Sequence, residues 1–234
     1  MRNEALSLLV HLFLPNRCPF CEKAIPFRAL LCPDCAQSLP LMDAGRCLAC
    51  GRRDCACDPE ANGFDRLLAP FSYEDGPRRA VIGLKFHQNL LNAERLAHWM
   101  AAAFLRSGEQ ADLILPVPMT RKDVRNRGLD QCAALAQALS RELGIPFEKG
   151  LLVKVRQTGK QHDLSAEERM RNLESAFAVR VPERLAGKRV ILLDDVCTTG
   201  STLRECGRLL KRMGAVRVVA LTAARTPLQG KAIP

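Results

Sequence analysis

The chain of 234 residues is long enough to bury one α/β core and still supply a small accessory module. Hydrophobic residues make up 47% of it, which argues against a disordered protein. The net charge of +10 arises entirely after residue 60 and favours phosphate-rich ligands or nucleic acid, although a merely solubilising surface would have the same charge. Only eleven aromatic residues are present, which disfavours base stacking as the main mode of binding.

The first predicted element is an apolar segment at residues 5–14. It is too short to span a bilayer, and no small-residue cleavage site follows it. We therefore expect a short helix docked on the protein rather than an export signal. A cytoplasmic protein without stable membrane insertion is the corresponding prediction.

Eight of the eleven cysteines then follow within forty residues, between Cys18 and Cys57. Two Cys-x2-Cys pairs separated by ten residues are typical of a tetrahedral zinc site, because each pair supplies two thiolates from one tight turn. A second set of four would complete a second site, with sequential or interleaved pairing left open and iron-sulfur chemistry as the competing interpretation. The predicted ligands are Cys18, Cys21, Cys32, Cys35, Cys47, Cys50, Cys55 and Cys57, whereas Cys132, Cys197 and Cys206 are predicted to be buried core residues.

The remainder of the chain alternates strand and helix signals, which predicts an α/β fold with a parallel sheet covered by helices. We divide the chain into residues 1–60, an N-terminal helix with a double zinc-finger module, and residues 61–234, the α/β domain. Predicted helices cover 80–86, 93–105, 131–143 and 202–213, with another opening at Ser165; predicted strands cover 112–118, 151–155, 189–194 and 216–222.

One strand-loop-helix segment of this domain has the residue types of a phosphate-binding site. Four apolar residues, 190–193, predict a strand buried on both faces, and ligands of open α/β sheets bind where such strands end. The next helix presents free N–H groups and a positive dipole end to an anion. The predicted phosphate-binding residues are Thr198, Thr199, Gly200, Ser201 and Thr202.

Two acids, Asp194 and Asp195, stand between this strand and the loop. Carboxylates beside a phosphate suit either a metal ion or a ligand that also carries hydroxyl groups, and a ribose supplies two vicinal hydroxyls. They would also offset positive charge developing on the sugar during a displacement, so both are candidate catalytic residues. An ordinary strand-to-helix turn with capping acids is the alternative interpretation.

A basic segment at 121–127 carries four cations in seven residues. We predict a loop whose N–H groups and side chains bind pyrophosphate with Mg²⁺, the alternative being a solvated basic face. Asp130, shortly after it, makes the neighbourhood less favourable for an anion. The candidate pyrophosphate residues are Arg121, Arg125 and Arg127, together with Lys85 from an earlier helix.

With these motifs in order, the chain resembles the ComF family, the amidophosphoribosyltransferase-like proteins linked to DNA uptake in naturally competent bacteria. The resemblance covers nearly the whole chain and includes Cys-Pro-Phe-Cys at 18–21, Leu-Lys-Phe at 84–86, Pro-Val-Pro at 116–118, Arg-Gly-Leu-Asp-Gln at 127–131 and the phosphate loop. It implies a type I phosphoribosyltransferase-like fold with an N-terminal zinc finger. It also implies handling of incoming single-stranded DNA or its breakdown products, with contacts to a competence helicase and a recombination mediator.

Two functional hypotheses follow from the residues and the resemblance together. The first is a Mg²⁺-dependent phosphoribosyltransferase that binds phosphoribosyl pyrophosphate (PRPP) or a ribose 5-phosphate-type ligand and has an unidentified acceptor. The second is a catalytically silent module that senses PRPP or binds single-stranded DNA.

Overall fold

The computed structural model of the protein describes residues 16–26, 29–42, 63–87, 89–155 and 176–227. The predicted helices at 5–14 and from Ser165 lie outside these ranges. Within them, the helices are α1 Pro33–Gln37, α2 Asp75–His87, α3 Leu90–Arg106, α4 Arg121–Arg127, α5 Gln131–Leu143 and α6 Ser201–Arg212, with a 3₁₀ turn at Pro182–Leu185. The strands are β1 Arg66–Leu68, β2 Phe71–Ser72, β3 Leu113–Pro116, β4 Leu152–Lys154, β5 Phe177–Val179, β6 Arg189–Cys197 and β7 Arg217–Arg225.

The main sheet is parallel, with the strand order β1-β7-β6-β3 and with β2 also pairing with β7. The predicted α/β architecture is therefore confirmed. In β6, Ile191 belongs to the hydrophobic cluster on one face and Leu192 to the cluster on the other, and both are fully buried. This confirms that the strand is buried on both faces, as its unbroken apolar run predicted.

Helices cover the sheet on both sides. Leu96 of α3 and Leu135 of α5 pack on the face that carries Ile191. Leu203 and Leu210 of α6 pack on the opposite face, where residues 190 and 192 point. The carboxyl end of β3 lies beside Leu193 of β6, directly before Asp194, since Pro116 pairs with Leu193.

Some elements differ from the sequence-based expectation. No strand was predicted before residue 112, yet β1 and β2 pair with β7, and both strands are too short to produce a clear alternation. β6 and β7 each extend three residues beyond their predicted ends because they continue to pair with one another as far as Cys197 and Arg225. The strand predicted at 151–155 does form, but it pairs antiparallel with β5 in a separate two-stranded sheet.

The cysteine-containing segment at 16–42 packs into the hydrophobic core of the α/β domain. Phe20 lies edge-on to Phe71 of β2 with ring centroids 5.4 Å apart, and Phe71 contacts Trp99 of α3 in the same way at 5.6 Å. A Cβ added to Gly76 of α2 would lie 2.6 Å from the Cβ of Phe20, so only glycine permits this approach. The segment and the domain therefore share one core. None of the helices in the described ranges is long and apolar enough to cross a membrane.

We expect Phe20→Ala to lower the free energy of unfolding by about 3–5 kcal/mol, because it removes a buried aromatic ring from this shared core. Phe86→Ala is the matched control: Phe86 is 64% exposed, and its loss should change stability by less than about 0.5 kcal/mol. Urea unfolding of both variants in saturating zinc measures the difference. Equal stability of the two variants would contradict the shared core.

Candidate functional site

The predicted phosphate loop forms the turn between β6 and α6. Gly200 is the N-cap of α6 with φ of 74°, a left-handed conformation that favours glycine. A small cavity is lined by Asp194, Val196 and the continuous run 197–203. The free N–H groups of the first turn of α6 therefore lie at this cavity, as an anion site requires.

Local contacts hold the loop in this shape. Arg204 of α6 reaches back, and its Nη2 donates a hydrogen bond to the Thr199 carbonyl oxygen at 2.8 Å. The Thr199 and Ser201 hydroxyls are 3.1 Å apart. Thr198, Thr199 and Ser201 are exposed, so their hydroxyl groups are accessible to a ligand from solvent.

The two acids are held by residues from α2 and α5. Asp195 is buried, and its Oδ2 accepts from Gln131 Nε2 at 3.0 Å and from Lys85 Nζ at 3.0 Å. Asp194 Oδ1 accepts from the backbone N–H of Asp195 at 2.9 Å and from the Cys132 thiol at 3.3 Å. The fold thus joins three separate parts of the sequence at one pair of carboxylates.

Burial raises the pKa of Asp194 to about 7, and repulsion from the neighbouring Asp195 carboxylate adds to the effect. The hydrogen bonds from the Asp195 backbone and from Cys132 act in the opposite direction. Desolvation also raises the pKa of Cys132, so its thiol stays protonated and donates to the carboxylate. Ionisation of both carboxylates at once is therefore unfavourable unless a ligand donates hydrogen bonds to them.

Sequence reasoning missed two contributors to this site. Cys132 is buried, as predicted, but it also contacts Asp194. Gln131 stands in the motif at 127–131, yet nothing in that motif indicated a contact with Asp195. Both lie in the first turn of α5, and Asp130 is the N-cap of that helix, its Oδ1 accepting from the Ala133 N–H at 3.0 Å.

The basic segment at 121–127 was predicted to be a loop, and this prediction is wrong. It forms the helix α4, because the Thr120 hydroxyl caps its N-terminus by accepting from the Asp123 N–H at 3.0 Å. Gly128 ends it with φ of 72°. The segment therefore offers side chains rather than a run of free backbone N–H groups, and the side chain of Arg121 lies outside the described residues.

Arg125 of α4 lines a cavity of about 590 Å³ at the carboxyl end of β3. We name this cavity the cationic pocket. It shares no lining residue with the cavity at the phosphate loop. Its lining consists of Pro116, Val117, Pro118, Met119, Thr120, Arg125, Asp130, Lys149, Gly150, Leu152, Val153, Lys154 and Arg180.

The first four predicted metal ligands converge. The sulfur atoms of Cys18, Cys21, Cys32 and Cys35 all lie within 4.8 Å of one another. Hydrogen bonding from the Cys35 backbone lowers the pKa of Cys32 to about 7, which favours a thiolate there. Four converging sulfur ligands fit tetrahedral zinc. The other predicted ligands, Cys47, Cys50, Cys55 and Cys57, lie outside the described residues.

Comparison with known proteins agrees with this arrangement. Residues 129–232 match the phosphoribosyl transferase domain, and residues 9–64 match the double zinc ribbon domain. The DNA utilization protein YhgH of Salmonella typhimurium is 34% identical over 89% of this chain and 90% of its own length. Competence protein F of Haemophilus influenzae is 39% identical over 49% of this chain and 50% of its own length.

The chain belongs to the ComF family. Its fold is the phosphoribosyltransferase type of α/β fold with an N-terminal double zinc ribbon. Among solved structures, the glutamine phosphoribosylpyrophosphate (PRPP) amidotransferase from B. subtilis aligns with a TM-score of 0.42 and 23% identity, over 64% of this ComF-family chain and 27% of that one.

The acid pair should make stability depend on pH. Asp194 ionises near pH 4 in the unfolded chain and near pH 7 when folded, so unfolding releases a proton between these values and stability falls as pH rises from about 4 to 7. We expect Asp194→Asn to raise the melting temperature relative to wild type more at pH 8 than at pH 5.

Asp112→Asn provides the contrast for this measurement. Hydrogen bonds from Arg189 hold the pKa of Asp112 well below its usual range, so this carboxylate is stabilising at both pH values. Its removal should lower the melting temperature at pH 5 and at pH 8. A melting-temperature difference for Asp194→Asn that is the same at both pH values would contradict a raised pKa.

Proposed function

We propose that this protein binds PRPP at the carboxyl ends of β6 and β3. The observation that carries the proposal is the junction of a phosphate-type loop with two adjacent acids at the end of a doubly buried strand. The loop at 198–202 and the N-terminus of α6 would bind the 5-phosphate of the ribose. Asp194 and Asp195 would then accept hydrogen bonds from the two ribose hydroxyls.

The electrostatics of the acid pair suit this ligand. Two carboxylates that repel each other are relieved when ligand hydroxyl groups donate to them. Lys85 and Gln131 already donate to Asp195, so they would hold it in place while the ligand engages the remaining oxygens. Positive charge that develops on the ribose during loss of pyrophosphate would be stabilised by the same carboxylates.

The pyrophosphate group would lie toward α4. Arg125 lines the same cavity as Pro116 at the end of β3, and we propose that Arg125, Arg127 and Arg121 of this helix bind the pyrophosphate. Lys85 Nζ lies 3.0 Å from Asp195 Oδ2, and we propose that it also contacts the pyrophosphate. Magnesium bound with PRPP supplies charge neutralisation on the phosphate oxygens.

The names of the relatives point to a cellular role. Curated relatives are called DNA utilization protein and competence protein. We propose that this chain likewise acts in the uptake or handling of DNA, with single-stranded DNA or its products as partners and with a competence helicase and a recombination mediator as contacts. The net charge of +10 supports contact with phosphate backbones.

Turnover separates the two hypotheses for this site. A phosphoribosyltransferase releases pyrophosphate when PRPP, Mg²⁺ and the correct acceptor are present, and a panel of nucleobases, amines and oligonucleotides tests this directly. A silent module binds PRPP without pyrophosphate release. Binding of single-stranded DNA by that module would weaken steeply with salt, because it would rest on phosphate contacts.

We expect Asp195→Asn to lower the affinity for PRPP and Mg²⁺ by about tenfold or more, since a ligand hydroxyl would lose a charged acceptor. Glu142→Gln, at the far end of α5 and 42% exposed, is the control and should bind as wild type does. Calorimetric titration measures both. Undiminished PRPP binding by the combined Asp194→Asn and Asp195→Asn variant would overturn the proposed site.

Zinc ligation by the first cysteine set is the second part of the proposal. Cys21→Ser should lose about one equivalent of zinc per chain, because a four-ligand site with three thiolates binds the ion poorly. Cys206→Ala removes a buried thiol that lies outside the set and should retain the full zinc content. Metal analysis of the purified variants measures their zinc content. Unchanged zinc content in Cys21→Ser would contradict zinc ligation by this cysteine set.

A further inference from the structure

The cavity at the phosphate loop has no basic side chain in its lining. Asp194, Val196 and the run 197–203 line it, and none of these residues is a lysine or an arginine. A phosphate monoester carries about −1.5 to −2 charges at neutral pH, and here it would lie beside a carboxylate. Apart from the N-terminal end of α6, the positive charge that balances a phosphate at this cavity therefore comes from residues behind the lining.

Arg204 of α6 places one such charge against the loop. Its Nη2 donates to the Thr199 carbonyl oxygen at 2.8 Å, and its Nη1 would lie 3.4 Å from a Cβ added to Gly200. The guanidinium group therefore lies against the peptide bond between Thr199 and Gly200. This bond is trans, and the C=O and N–H groups of a trans peptide point in opposite directions. Holding the Thr199 carbonyl toward Arg204 thus turns the Gly200 N–H away from the guanidinium group.

Arg225 places a second charge near the same part of the loop. It ends β7, is only 5% exposed and pairs in the sheet with Cys197, the residue directly before Thr198. Residues paired on neighbouring strands point to the same face of a sheet. Cys197 belongs to the hydrophobic cluster on the face that α6 covers. The side chain of Arg225 is therefore directed toward α6.

Both arginines act electrostatically on one side chain. Burial raises the pKa of the Cys197 thiol, whereas the charges of Arg225 and Arg204 act in the opposite direction. The Cys197 sulfur would lie 3.4 Å from a Cβ added to Gly200, so this thiol lies directly behind the loop. Two guanidinium groups and the positive end of α6 thus converge near Gly200. Like charges brought together in this way favour an anion at the loop.

We propose that Arg204 and Arg225 are positioning residues for a phosphate bound at 198–202. Neither residue lines the cavity, so both act through the loop. Arg204 orients the peptide bond between Thr199 and Gly200, and Arg225 supplies buried positive charge beside Cys197. The inference rests on the proposed PRPP site, because this loop would bind the 5-phosphate of the ribose.

Calorimetric titration of the full chain with ribose 5-phosphate tests Arg204. Arg204→Gln should weaken binding by about tenfold or more, because the loop loses a charge and the group that holds its carbonyl. Arg204→Lys keeps a charge and a donor, so it should restore most of the affinity. Arg208→Gln is the control, since it removes the same charge one turn farther along α6 and should bind within about twofold of wild type. Equal losses in Arg204→Gln and Arg208→Gln would overturn the assignment, because net charge alone would then explain them.

Arg225 is tested by keeping or removing its charge. Arg225→Lys should bind ribose 5-phosphate within about threefold of wild type, whereas Arg225→Met should bind it about tenfold more weakly or worse. Thermal unfolding shows whether these variants fold, and Arg225→Gln is a second neutral variant at the same position. A folded neutral variant that binds ribose 5-phosphate as wild type does would overturn the role of Arg225.

A comparison of two ligands tests charge balance without altering the fold. Ribose 5-sulfate resembles ribose 5-phosphate in shape but carries one negative charge rather than about two at pH 8. Wild type should bind the phosphate at least about tenfold more tightly than the sulfate, and this ratio should shrink in Arg204→Gln. Equal affinity of wild type for the two ligands would contradict charge balance by the arginines, because a loop that only fits the shape does not distinguish them.

The same titrations separate this inference from the PRPP function. If wild type binds ribose 5-phosphate but not PRPP, and the arginine variants lose ribose 5-phosphate, the proposed PRPP function fails and the positioning role stands. If wild type binds PRPP while the arginine variants keep full affinity for ribose 5-phosphate, only the positioning role fails. Failure of wild type to bind ribose 5-phosphate would overturn the positioning role, since the loop would then hold no phosphate.

Discussion

The burial of β6 on both faces is the constraint on which the rest of the structure depends. Its apolar residues fill two separate hydrophobic clusters, and it pairs with β3 on one side and β7 on the other. A strand held in this way has little freedom to shift its register, because a slip of one residue would exchange its two faces. The packing of β6 into these two hydrophobic clusters therefore fixes the position of Asp194, Asp195 and the phosphate loop.

Placing two carboxylates at the end of such a strand has an electrostatic cost. Burial and mutual repulsion raise the pKa of Asp194, while Lys85, Gln131 and Cys132 donate to the pair. Those donors come from α2 and from the start of α5, so the helices that cover one face of the sheet also stabilise the site. Two neighbouring carboxylates that repel each other are suited to a ligand rich in hydroxyl groups.

The cysteine segment is connected to the site through α2. Phe20, between Cys18 and Cys21, packs against Gly76 near the start of this helix, and Lys85 near its end contacts Asp195. Arg95 of α3 adds a second connection, since its Nη1 donates to the Arg17 carbonyl oxygen at 2.7 Å. The segment that carries the first four cysteines is thus part of the structure that positions Lys85.

Local sequence was sufficient for much of this description. The apolar run at 190–193 and the Thr-Gly-Ser turn after it are short local patterns, and so is each Cys-x2-Cys pair. The helices α5 and α6 formed close to their predicted limits, and β6 began where it was predicted to begin. The helix α4 also has local caps, Thr120 and Gly128. Its four cations instead suggested a phosphate-binding loop, so these caps were not recognised in the sequence. β1 and β2 were missed because strands of two or three residues take their stability from β7 rather than from their own pattern.

Contacts between distant residues could be decided only by the tertiary structure. Gln131 and Cys132 reach Asp195 and Asp194 across more than sixty positions, and Phe20 joins a core built by α2 and α3. The cationic pocket likewise forms where the end of β3 meets the small sheet of β4 and β5. Sequence alone determined which residues have side chains suited to phosphate, hydroxyl groups or metal, because that depends on side-chain chemistry and local spacing. Which of them lie together depended on how the parallel strands and the helices between them pack.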